Sequence, residues 1–340
     1  MAYTTIKKPS EYFNTNLYTG NGGTQSFTEI GFQPDWVWIK NRSGTEDHML
    51  YDAVRGVTKD IRANQTNAES TNANSLTAFE TDGYSIGSSG NINNNGSNFV
   101  GWNWKANGAG SSNTDGSITS TVSANTTSGF SIVSYTGTGA NATVGHGLGV
   151  APKMIIFKNR TVARNWISYH DSIGATKFMY FNLTNAETTD STAFNNTAPT
   201  SSVFSLGSNV GGNESGSSMI AYCFAEVKGF SKFGSYTGNG STDGAFIYTG
   251  FKPAWLMVKR TDIGDGWTIV DNKRNTYNLV TQRLQAQVSD AESALDLIDF
   301  TSNGFKNRNN FVSWNSSGGT YIYMAFAEEP LVGDNPATAR

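Results

Sequence analysis

The chain has 340 residues, of which 24 are basic and 27 acidic, giving a net charge of −3 and a pI near 5.7. That length allows one to three domains with a substantial core, and that charge gives no electrostatic footprint for nucleic acid. Charged residues make up only 15% while aromatics reach 12%, so the surface is polar through hydroxyl and amide groups and the composition is not that of a disordered chain.

Residues 1–12, "MAYTTIKKPSEY", lack the apolar stretch of a secretory signal. They have no copy elsewhere in the chain and are expected to form an N-terminal arm, a candidate attachment element. Residues 13–106 open with "YTGNG" after Leu17. Pro34 follows 16 residues after Tyr18, and the apolar strand "WVWIKNR" begins two residues later. "LYDAVRG", "NAE", "DGYSIG" and the closing run "FVGWNWKA" come next. Residues 107–129, rich in Gly, Ser and Asn, read as a flexible linker.

Residues 130–228 restate the series as "SYTGTG", Pro152, "MIIFKNR", "YHDSIGA", "NAE", "VFSLG" and "MIAYCFAE". Residues 229–332 give it again as "SYTGNG", Pro253, "WLMVKRT", "IVDNKRN", "DAE", "SNGFKN" and "YIYMAFAE", leaving 333–340 as a tail. Lys40, Lys158 and Lys259 each stand six residues past the proline, and Asp52, Asp171 and Asp271 follow 12 or 13 residues later. Preserved order and spacing mark an internal repeat of about 95–100 residues, the size of a self-contained sandwich rather than of a solenoid unit. With almost no linker between the second and third copies, those two are expected to dock rigidly while the first moves.

The closing runs alternate large and small residues, as in Val100, Trp102 and Trp104 against Gly101 and Asn103. That is the pattern of a strand with one face in the core. The runs after the prolines are apolar on both faces, which predicts central strands covered on both sides. Helical signal is thin; even 281–298 is taken as strand and loop. The expected fold is all-β, three tandem jelly-roll-like β-sandwiches forming a rod.

Five sets of residues could carry chemistry. The Tyr-Thr-Gly-x-Gly turn lacks the Lys-Ser/Thr and helix of a P-loop, so its glycines read as backbone geometry. The three Asp and the Glu69, Glu187 and Glu292 that also recur read as structural ion pairs, although Asp52 with Glu69 is the pair a glycoside-cleaving enzyme would need. His48, His146 and His170 hold different positions in the copies and make no metal spacing. Cys223 is alone, which rules out an intrachain disulfide or cysteine zinc site, and reads as a buried filler. Trp166, Trp267 and Trp314 are the tryptophans with the weakest core pattern, and so the candidate glycan contacts. No catalytic set, metal or cofactor is expected, and no run approaches a membrane span.

The stretches "TTIKKPSEYFNTNLYTGNG", "GFQPDWVWIKNR", "DAVRG", "FVGWNWKANG", "SYTGTG" and "YIYMAFAE" carry a further signal. Across nearly its whole length the chain resembles repeated β-domain virion structural proteins of marine bacteriophages, cyanophages included. The resemblance implies a tail-fibre or adhesin-like role on the surface of a particle assembled in the host cytoplasm. Its partners would be other virion proteins, reached through residues 1–12, and a host-surface receptor or glycan. A homo-oligomer, with a trimer among the options, goes with this role. The single unit is also similar to concanavalin-like and SPRY-type sandwiches through "DGYSIG…FVGWNW". Capsid decoration or head-fibre protein, carbohydrate-binding module and polysaccharide depolymerase stay open as alternatives to a non-enzymatic tail protein.

Overall fold

The computed structural model describes residues 3–338 and is all-β, 43% strand and 4% helix. Three antiparallel sheets dominate. In the first, the strands run side by side in the order Phe13–Thr19, Asn98–Trp104, Trp36–Asn41, Met49–Asp52, Lys59–Arg62, Ser70–Thr71. The second keeps that order with Phe130–Thr136, Ser218–Phe224, Met154–Asn159, Ile167–His170, Lys177–Tyr180 and Thr188–Thr189. The third begins likewise with Ser231–Thr237, Thr320–Pro330, Phe251–Arg260, Trp267–Asp271 and Val280–Gln285, then folds back through Ser293–Thr301, Gly304–Asn307 and Phe246–Tyr248.

Alternation along the strands decides what packs where. Val100, Trp102 and Trp104, and Ile220, Tyr222 and Phe224, face one large cluster, and so do Ile322, Met324 and Phe326. Trp36, Trp38, Met154, Ile156, Trp255 and Met257 point into the same cluster. Their neighbours Val37 and Ile39, Ile155 and Phe157, and Leu256 and Val258 point the other way, into a separate smaller core behind each sheet. Each sheet is therefore covered on both faces, as the doubly apolar strands predict.

The large cluster is common to all three sheets, and this corrects the expected rod with a mobile first unit. Trp36 stacks on Tyr222 of the second sheet with ring centroids 4.6 Å apart, and Trp104 meets Trp255 of the third at 5.7 Å. Phe181 lies between Trp38 and Trp267, at 5.8 and 5.2 Å. Large aromatics dominate burial energetics; a row of separate sandwiches would leave these faces in water.

Two segments expected to be irregular are ordered. In the region read as a linker, Ser111–Asn113 and Ser120–Asn125 form strands that extend the second sheet beyond Phe130–Thr136. Ile118 and Val122 anchor them in that sheet's own core, which the Gly- and Ser-rich composition masked. Residues 3–12 fold back as a strap. Tyr3 Oη donates to the Gly250 carbonyl at 2.7 Å, and Ile6 is buried in the common core. These residues are thus occupied within the chain; Met1 and Ala2, like Ala339 and Arg340, lie outside the described residues.

Candidate functional site

The recurring turn is built around a buried asparagine. Asn93 Oδ1 accepts from the Asn21 N–H at 2.8 Å, and its Nδ2 donates to the carbonyls of Gly23 and Gly87. Asn213 and Asn315 make the corresponding bonds to Thr138, Ala140 and Gly207 and to Asn239, Ser241 and Asn309. The hydroxyls of Tyr18, Tyr135 and Tyr236 donate to the carbonyls of Ile92, Gly212 and Trp314. A Cβ on Gly20, Gly137 or Gly238 would lie 2.2–2.3 Å from a backbone carbonyl oxygen. The first glycine is therefore required by close approach, whereas Gly22, Gly139 and Gly240 have φ near +70°. Phosphate has no place in this geometry. The asparagines went unnoticed in the sequence because no local motif surrounds them; their signal is a shared position, five residues before the closing strand.

The recurring ionisable residues converge on the junctions between sheets. At the first–second junction, Asp52 Oδ1 accepts from the Arg55 N–H and Oδ2 from its Nε at 2.5 Å, while Tyr222 Oη of the second sheet donates to Oδ2 at 2.7 Å. Arg55 reaches on to Glu69 at 3.2 Å, and Glu69 also receives a two-pronged contact from Arg160 at 2.9 and 3.0 Å. Burial alone would raise the Glu69 pKa, but Arg160 and Arg55 outweigh it and hold the carboxyl below its usual range.

The third–first junction repeats this arrangement. Asp271 takes the Arg274 Nε at 2.5 Å and the Trp102 indole N–H at 3.0 Å. Arg274 lies 5.5 Å from the Trp102 ring centroid and reaches Glu292, which Arg42 also grips at 2.7 and 3.0 Å. The contacts run in one sense around a closed ring. A backbone N–H crosses each junction: Glu69 to Arg160, Glu187 to Thr261, and Glu292 to Arg42. Trp166 Nε1 donates to the Arg62 carbonyl and Trp267 Nε1 to that of Tyr180, both at 2.9 Å. His48 occupies the same sheet position, its ring turned toward the Gln285 carbonyl without a hydrogen bond of normal geometry.

The second–third junction is different. Register pairs Asp52 with Trp36, Asp271 with Trp255, and His170 with Met154. The counterpart of Asp52 is therefore His170, not Asp171, which lies on the surface bonded to Lys153 at 2.8 Å. Spacing already set Asp171 apart: it stands 13 residues after its lysine where the other two stand 12. Around His170 the other members change too. Ile173 replaces Arg55, Thr261 replaces Arg160, and Met324 replaces Tyr222. His170 Nδ1 accepts from the Ser172 N–H and Nε2 donates to the Tyr323 carbonyl, both at 3.2 Å. Burial pushes its pKa down to about 4, so it serves as a neutral substitute for the aspartate.

Lys40, Lys158 and Lys259 are fully buried and donate to backbone carbonyls rather than to the recurring acids. Lys158 and Lys259 reach across junctions to Thr66 and Thr184 at 2.8 and 3.0 Å. Burial lowers the three ammonium pKa values to about 8, 7 and 8. The ion pairs foreseen for the acids exist without the recurring lysines: Asp52, Asp271, Glu69 and Glu292 pair with arginines, and Asp171 and Glu187 with Lys153 and Lys177.

The proposed glycan tryptophans are not at the surface. Trp166 and Trp267 line the common core and Trp314 the third sheet's own core, each no more than 1% exposed. An indole so enclosed has no face to offer a sugar. The large aromatics that do reach solvent include Phe246, Tyr248 and Tyr277. Asp52, buried and bridged to Glu69 by Arg55, does not line an open groove with it. Cys223 is buried as expected, its thiol pKa pushed up by burial. Among the described residues no group of three His, Cys, Asp or Glu side chains could hold a metal, and no helix is long and apolar enough to cross a membrane.

No curated protein and no solved structure matches the chain. One family profile does, over residues 8–330, and so spans all three sheets and the junctions between them. The chain belongs to that family, described as a domain of unknown function, DUF7483.

Proposed function

We propose that the chain is a non-enzymatic virion structural protein, a tail-fibre or receptor-binding component, made of three tandem jelly-roll-like sandwiches closed around a common core. One observation carries the non-enzymatic part of this reading. The acids, arginines and lysines that recur through the sequence are engaged in turns and in holding one sheet to the next. Chemistry invested that way yields a rigid body, and function then lies in the exposed loops where the copies differ. Three similar faces around one axis also suit attachment to a threefold partner, and repeated loops suit weak multivalent contacts. The virion address rests on the resemblance of the sequence.

The test is location. A labelled antibody fragment should decorate purified particles, and the protein should bind host cells; its absence from particles would overturn the assignment. Decoration of the head instead of the tail would select the capsid-decoration alternative. The exposed Phe246, Tyr248 and Tyr277 favour a second reading, a carbohydrate-binding module. Glycan binding lost in Tyr248→Ala or Tyr277→Ala would support it.

A further inference from the structure

The second–third junction lacks both arginines of the first–second junction, and their absence leaves a cleft of about 450 Å³. Ile173, Lys177, Glu187, Ser235, Thr261 and Ile322 are among the residues that line it. Glu187 holds the place of Glu69, since each donates its backbone N–H across the junction at 2.8 Å to the residue at the same sheet position, Thr261 or Arg160. Ser235 holds the place of Ser134: these residues pair with Ile322 and Ile220 at equivalent points of the closing strands. In the first–second junction that carboxylate and that hydroxyl hold one guanidinium, with Arg160 bonded to Glu69 and, at 3.3 Å, to Ser134. In the second–third junction the same cradle has no arginine: Thr261 stands at that position, its hydroxyl hydrogen-bonded to that of Thr320 at 2.7 Å. The neighbouring Arg260 is committed to Asp262 through two 2.8 Å bonds.

We propose that this cleft receives the guanidinium of an arginine side chain from another protein chain. Glu187 grips the planar fork in the two-pronged manner of Glu69, a geometry that favours guanidinium over ammonium. Ser235 accepts from the remaining N–H. Glu187 now pairs with Lys177, and the first sheet indicates where that lysine goes when the guanidinium arrives. Lys59, at the position of Lys177, turns away from Glu69 and donates to Thr71 at 2.9 Å. Thr189 stands opposite Lys177 as Thr71 stands opposite Lys59. Lys177 and Glu187 are both partly exposed, at 36% and 26%, so the exchange takes place in reach of water. The inference concerns the chemistry of the cleft and does not depend on the virion address.

The experiment is a methyl NMR titration of the full chain with N-acetyl-arginine methylamide, using Ile173 and Ile322 as local reporters. The proposal expects saturable shifts of both methyls and at least tenfold weaker binding in Glu187→Gln. Thr261→Arg, which supplies an arginine from within the chain, should abolish the titration. The lysine counterpart should bind at least tenfold more weakly than the arginine compound. The proposal is overturned by an absence of saturable shifts, by unchanged binding in Glu187→Gln, or by equal binding of the lysine compound. Tighter binding of free arginine than of the blocked form would also overturn it, because the ligand would then be a small molecule and not a protein chain.

Discussion

Two of the three junctions are built on arginines and the third is not. The first–second and third–first junctions each bury an Asp–Arg–Glu–Arg chain capped by a Tyr or Trp donor. The second–third junction replaces four of those five members, retaining only the glutamate. The difference teaches that the network behaves as a unit. A buried charge without its partner is costly, whereas replacing the whole set with neutral residues is often nearly neutral. His170, Ile173, Thr261 and Met324 are mutually consistent for that reason, whereas histidine placed alone at Asp52 would take from the buried Arg55 its aspartate partner.

The largest effect should come from breaking a charged junction on one side only. Asp52→Ala strands Arg55 and the Tyr222 hydroxyl, and should cost about 3–5 kcal/mol in urea unfolding. A loss below about 1 kcal/mol would mean that the ionic chain is incidental to the junction.

The histidine-bearing junction should instead fail in acid. The folded pKa of His170 is depressed to about 4, below the ordinary value of 6.5. The unfolded chain therefore binds the extra proton first, so stability is full above about pH 6.5 and falls as pH drops toward 4. This histidine alone supplies up to about 3 kcal/mol of that loss. His170→Gln should flatten the pH dependence of the unfolding free energy between pH 6.5 and 4, leaving the contributions of His48 and His146, whose pKa values are also lowered by burial. An unchanged slope would show that His170 is not held neutral.

Rebuilding the charged pattern tests cooperativity directly. His170→Asp and Ile173→Arg should each destabilise, while the double variant recovers part of the loss, with a coupling of about 0.5–3 kcal/mol. Strict additivity would contradict the account of the junction as a unit. The smallest effect is expected for Arg42→Ala. This arginine is 21% exposed and its partner Glu292 keeps Arg274, so the cost should be about 1 kcal/mol by thermal unfolding, near the upper end for solvent-touched pairs.

Legibility followed locality. The Tyr-Thr-Gly-x-Gly turn was readable because hydrogen bonding and φ impose it on a few adjacent residues. The doubly apolar strands after Pro34, Pro152 and Pro253 were readable because burial on both faces leaves a period that is visible in the chain. Arg55 and Arg274 were missed although both stand three residues after an aspartate; the second region, where isoleucine takes that place, hid the pattern. Trp166 and Trp267 were misread as exposed because their burial depends on carbonyls of a neighbouring sheet, at Arg62 and Tyr180, roughly a hundred residues away in sequence.

The sequence by itself determined the all-β character, the strand faces and the turn chemistry, since these arise from contacts between residues close along the chain. Only the tertiary structure decided that the large aromatic faces meet one another and not water, that His170 and not Asp171 answers to Asp52, and that the presumed linker carries strands. Those outcomes depend on register and on closure of the ring, where burial of three apolar faces together outweighs what any one segment prefers alone.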